Sequence, residues 1–162
     1  MSSHDTTPDS NAIAAFATQL GQLCDDARRH IDILSPELEH GLFDTPEFVE
    51  QVSRLARSGP NGRIRILIQD SRAMVERGHR LLELARRLPS RIEIRKLAEH
   101  PQWNGETCVT RDTGGVLVKT ATSRRSKIFE LDSRPTAGRY RAQFDALWRY
   151  AESAPELRSL QL

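Results

Sequence analysis

The hydrophobic positions of this chain follow a helical period, then a strand period, in repeated alternation. Ile13, Phe16, Leu20, Leu23 and Ala27 recur at three- and four-residue intervals, which predicts a helix over residues 12–29. Before it, MSSHDTTPDS is polar and carries a proline, and residues 1–10 are expected to form a disordered tail. His30-Ile31-Asp32-Ile33-Leu34 is a short apolar run stopped by Ser35-Pro36, which reads as a strand. Thr45 then caps a helix that has Pro46 in its first turn and buries Phe48, Val49, Val52, Leu55 and Ala56.

Residues 63–69, RIRILIQ, form the clearest strand, with Ile64, Ile66 and Ile68 on one face and Leu67 on the other. One long helix is expected over residues 72–88, stopped by Pro89-Ser90, and a further strand over residues 91–97. Helices alternating with strands imply right-handed crossovers and a parallel sheet. After Asn104-Gly105 the pattern changes. Strands over residues 106–111 and 116–121 flank Asp112-Thr113-Gly114-Gly115, a hairpin turn, and residues 127–131 add another strand. A last helix, residues 137–153, buries Tyr140, Phe144, Leu147 and Trp148. The expected fold class is α/β, a mixed, mainly parallel sheet flanked by helices, in a single domain over residues 11–162.

Composition narrows the function classes. The chain has 24 basic and 22 acidic residues, a formal charge of +2, so no bulk electrostatic pull toward nucleic acid follows. Arginine dominates the basic residues, with lysine only at Lys96, Lys119 and Lys127, a bias that fits a GC-rich bacterial genome and solvated helix faces. Cys24 and Cys108 have no metal spacing and read as buried thiols of a cytoplasmic protein. No apolar run approaches the ~18 residues of a membrane span, and no signal pattern opens the chain. His30, His40 and His100 are scattered, so no metal and no cofactor is expected.

The ordered set IDILSP, GRIRILIQD, LLELARRL followed by RIEIRKL, and YRAQFDALW resembles one half of a phospholipase D-like domain, over roughly residues 27–152. That resemblance implies a catalytic His-x-Lys, an Asp five residues after the Lys, and Gly-Ser and Asn on the next strand. The histidine attacks phosphorus, and the lysine and asparagine stabilise the developing charge. Only Asp112 matches in identity. Gly105 stands at the nucleophile, Thr107 at the lysine, Lys119-Thr120 at Gly-Ser and Ser123 at the asparagine. The resemblance therefore implies a degenerate half without the family's covalent chemistry. It also implies a homodimer, since one half leaves exposed the surface on which two usually meet.

Lys119, Thr120, Ser123, Arg124 and Arg125 form the strongest candidate site, a cradle for a phosphate-containing ligand, against the alternative of a solvated loop. His79, with Glu83 at helical spacing, is a second candidate, either a ligand-binding or catalytic group or a capping histidine beside Gly78. Asp70-Ser71 reads as a helix cap more readily than as a strand-end site. The leading expectation is a non-catalytic binding or regulatory module with a phosphate-containing ligand or a protein partner. Nucleic acid stays open but is not favoured. The alternatives are a hydrolase using His79 and a structural dimerisation domain.

Overall fold

The computed structural model describes residues 8–158. In chain order it contains α1 (Pro8–Asp25), β1 (His30–Ser35), α2 (His40–Phe43), α3 (Pro46–Ala56), β2 (Arg63–Ile68), α4 (Arg72–Arg77) and α5 (Arg80–Arg87). Then follow β3 (Ile92–Lys96), β4 (Thr107–Arg111), β5 (Gly115–Lys119), β6 (Ile128–Glu130), α6 (Arg134–Trp148) and α7 (Pro155–Arg158). The strands form one six-stranded sheet in the order β3-β2-β1-β4-β5-β6. β1 pairs parallel with β2 and β2 with β3, while the β1–β4, β4–β5 and β5–β6 pairs are antiparallel. β1, β2, β3 and β5 thus run one way and β4 and β6 the other, a mixed sheet with one dominant direction.

Alternation along the strands sorts side chains into two cores. Ile31, Ile33, Ile64, Ile66, Ile68, Val109 and Leu117 pack under α1, α3 and α5, against Phe16, Leu20, Phe48, Val52 and Leu81. Leu34, Leu67, Cys108, Val116 and Val118 face the other way, onto Ala137, Phe144 and Leu147 of α6. Each such buried side chain contributes roughly 1.5–3 kcal/mol. On the α6 face the strands end in a polar patch. Arg65 grips the buried Asp32 through two 2.9 Å hydrogen bonds and reaches Asp145 of α6 at 2.8 Å. Arg65 and Arg95 also lie over the Trp148 ring, at 5.5 and 4.1 Å from its centroid.

Three expectations change. α1 begins at Pro8, so residues 8–10 of the expected tail are helical, while residues 1–7 lie outside the described part. The single helix over residues 72–88 is two, because Gly78 takes φ +79° and His79 starts a new helix. The last helix runs Arg134–Trp148 rather than over 137–153, entered through Ser133 as N-cap with proline in its first turn. The short helices α2 and α7 gave no periodic signal, since four residues hold barely one turn.

Candidate functional site

The sheet changes direction of growth at β1: its crossover leads to β2 on one side, while β4 joins on the other. Open α/β sheets place ligand crevices outside the carboxyl end of a strand at such a point. Here a cleft of about 250 Å³ lies there, lined by Pro36, Glu37 and Glu39 after β1, Gly105 and Thr107 at the start of β4, Lys119 at the end of β5, and Ala121 through Arg124 after it.

The period of two on β4 and β5 supplies its floor. Val109 and Leu117 belong to the core under α1, so Thr107, two positions before Val109, and Lys119, two positions after Leu117, face the same side. They are also register partners across the hairpin. The Lys119 side chain is only 8 % exposed. Its Nζ lies 6.0 Å from the centroid of the Phe16 ring and 3.0 Å from Oε1 of Glu39. A buried ammonium is costly unless an opposite charge meets it, and Glu39 supplies that charge.

Glu39 is delivered by a constrained segment. Leu38, fully buried, takes φ +57°, a left-handed conformation that costs roughly 1–2 kcal/mol for an L-residue with a side chain. Its N–H donates to Ser35 Oγ at 3.0 Å, and its carbonyl accepts from His79 Nε2 at 3.0 Å. The Pro36 carbonyl accepts the N–H groups of both Gln69 and Asp70, at 2.9 Å each. Two side chains and the β2–α4 connection therefore hold the loop that lines the cleft.

His79 stands apart from the cleft. It is 1 % exposed and caps α5, with Nδ1 accepting the Leu81 N–H at 3.2 Å. That acceptor role puts the ring proton on Nε2, the atom bonded to Leu38. Burial pushes its pKa down to about 4, so the ring is neutral and both nitrogens are committed. A nucleophile or base there would have to break the cap. The geometry matches the alternative of a capping histidine beside Gly78.

The other candidates divide. Lys119, Ser123 and Arg124 line the cleft; Thr120 and Arg125 do not. Thr120 accepts the Ser123 N–H through its carbonyl, and the Arg125 N–H donates to Ser123 Oγ at 3.1 Å, so both shape the loop around Ser123. Asp112 is at the far end of the sheet, where its carboxylate accepts the N–H groups of Arg28, Arg29 and His30 at 2.8–3.0 Å. It ties the hairpin turn to the start of β1 and contributes nothing to the cleft. Gly105 is in the cleft with φ +86°, and a Cβ added there would lie 3.2 Å from the Cβ of Ala121. That backbone does not accommodate a histidine without strain. Lys127 pairs with Glu106 at 2.6 Å, away from the cleft. Asp70, expected as a cap, accepts the Arg72 N–H at 2.9 Å, and its hydrogen bonds with Arg72 hold its carboxyl down at about 2. Glu39 escaped the sequence reading, because no spacing links it to a lysine on a strand far along the chain.

Among the described residues, no group of three or more His, Cys, Asp or Glu side chains is placed to hold a metal ion, and no helix is long and apolar enough to cross a membrane.

Residues 11–160 match the model of a family described as a domain of unknown function, DUF7931. No curated protein matches the chain in sequence. Among solved structures it is similar to TrmBL2, described as an archaeal chromatin protein that shows a novel mode of DNA binding, with 14 % identity and a TM-score of 0.59 over 88 % of this chain. The match takes in 52 % of TrmBL2, so this chain spans about half its length. It is also similar to NucT from Helicobacter pylori, with 10 % identity and a TM-score of 0.53 over 91 % of this chain and 95 % of NucT. At these identities the likeness is one of fold, and the fold is phospholipase D-like.

Proposed function

The chain belongs to the DUF7931 family, and we propose that it is a non-catalytic binding module on a phospholipase D-like scaffold that takes a phosphate-containing ligand in the Lys119 cleft. The observation that carries the reading is a nearly buried ammonium at the base of an open cleft, beside the hydroxyl-bearing residues Thr107, Thr122 and Ser123 and the guanidinium-bearing Arg124. Charge-assisted hydrogen bonds from such groups to phosphate oxygens are about twice as strong as neutral ones. The absence of turnover in the proposal rests on Gly105, whose backbone disfavours any side chain at the position matching the family nucleophile. TrmBL2, a DNA-binding protein of similar fold, supports keeping phosphate-bearing ligands in general in view. The net charge of +2 speaks against a broad nucleic-acid surface and for a single phosphate-sized contact. The proposed setting is a cytoplasmic homodimer, which sedimentation checks.

Isothermal titration of inorganic phosphate and of a mononucleotide into wild type and Lys119→Met tests the binding. The expected result is saturable heat in wild type and none in the variant. Equal heats overturn the role of Lys119. Incubation with bis(p-nitrophenyl) phosphate is expected to release no nitrophenol, and turnover by the purified chain overturns the non-catalytic reading.

A further inference from the structure

We infer that the cleft accepts a terminal phosphate monoester and turns away phosphodiesters, because Glu39 already occupies the anion position on Lys119; this rests on the phosphate reading above and narrows it to a ligand class. The Lys119 side chain is 8 % exposed and that of Glu39 is 29 % exposed, with 3.0 Å between the charged atoms. Glu39 holds the anion position on this nearly buried ammonium, so an anion that binds Lys119 at that position takes the place of the carboxylate. Glu39 gives way more easily than Lys119, since its own side chain is already partly in water.

That exchange sets a charge threshold. A phosphodiester carries one negative charge, the same as the carboxylate it displaces, and two of its oxygens are substituted. It gains no charge at Lys119 and brings bulk to a cleft of about 250 Å³. A monoester carries about −1.5 to −2 near neutral pH and presents three unsubstituted oxygens. It exceeds the carboxylate in charge, and its remaining oxygens meet the side of the cleft formed by Thr122, Ser123 and Arg124. Glu37, the second carboxylate of the lining, is at the exposed rim, where solvent and salt screen it.

The backbone determines how Glu39 leaves. Leu38 is clamped at its N–H by Ser35 and at its carbonyl by His79, so the loop does not retract as a unit. The Glu39 side chain rotates out instead, and the cleft keeps its shape. The arrangement makes Glu39 a competitor built into the site: removing its charge strengthens every anion by a similar factor and carries weak ones above the threshold.

Phenyl phosphate and methyl phenyl phosphate, alike except for the ester, separate the possibilities when titrated into the full chain as wild type, Glu39→Gln and Lys119→Met. Melting curves establish that each variant is folded, and Glu39→Asp serves as a second, charge-retaining variant. Wild type is expected to bind the monoester at least about tenfold more tightly than the diester. Glu39→Gln is expected to tighten both by about tenfold, bringing the diester into measurable range, while Glu39→Asp stays close to wild type. Equal affinity for the two esters in wild type overturns this inference and leaves the phosphate reading standing. Unchanged affinities in Glu39→Gln overturn the competitor role in the same way. No binding of either ester to wild type or Glu39→Gln overturns the phosphate reading, and the inference with it.

Discussion

The Nε2–H of His79 donates to the carbonyl oxygen of Leu38 at 3.0 Å, joining the cap of α5 to the loop that carries Glu39. The cap requires the neutral ring, since Nδ1 must stay unprotonated to accept the Leu81 N–H, whereas the Nε2–H bond to Leu38 does not. In the unfolded chain the imidazole titrates near its ordinary 6.5, and in the folded chain burial pushes it down to about 4. Between those values the unfolded state binds more protons, so stability is full above about pH 6.5, falls as pH drops through the window and levels off below pH 4. His30, also lowered by burial, adds a loss of the same sign. His79→Asn keeps a capping side chain but loses the bond to Leu38. It is expected to cost about 1–3 kcal/mol at neutral pH and to flatten the acid slope. Urea unfolding across the window checks this, and an unchanged slope in the variant counts against it.

Arg65 and Asp32 make the second prediction. Asp32 is buried, and its partner fastens the sheet to α6 through Asp145 and the Trp148 ring. Arg65→Ala leaves a buried carboxylate without its cation and is expected to cost roughly 3–5 kcal/mol. Asp32→Leu together with Arg65→Met removes both charges and is expected to cost less than Arg65→Ala alone. A double-mutant cycle by chemical unfolding reads the difference, and additive losses contradict it.

Gly105 gives the third. Because its φ is +86°, Gly105→Ala is expected to lower stability by about 1–2 kcal/mol with its strands intact. Gly105→His with Thr107→Lys restores the side chains that the phospholipase D-like resemblance leads one to expect, and is expected to give a less stable protein with no phosphodiesterase turnover. Turnover in that double variant shows that the backbone is not what excludes the chemistry.

The parts of the fold that were legible in the sequence are those written in side-chain periodicity. Ile64, Ile66 and Ile68 against Leu67 identified both faces of β2, and Thr45-Pro46 marked the start of α3, where the Thr45 Oγ1 accepts the Phe48 N–H at 3.2 Å. Gly78 and a capping His79 beside it were visible as one reading, but the full break was not: the apolar residues on both sides keep one helical period, and the break appears only in a backbone angle. The cleft was half legible. Lys119, Ser123 and Arg124 lie close together in the chain, whereas Glu39 meets Lys119 through packing that brings the β1–α2 loop over the end of β5. Asp112 misled, since a carboxylate at the position matching the family serves backbone N–H groups at the opposite end of the sheet.

The chain has three lysines, which gives the central claim a direct test. Lys96 pairs with Glu156, Lys127 with Glu106 and Lys119 with Glu39, each in a separate surrounding. Titrating inorganic phosphate into protein with isotope-labelled lysine side chains follows all three by NMR. A saturable shift of the Lys119 signal, with Lys96 and Lys127 unmoved, is the predicted result. A Lys119 signal that stays still, or three signals that drift together without saturation, contradicts a phosphate site in this cleft.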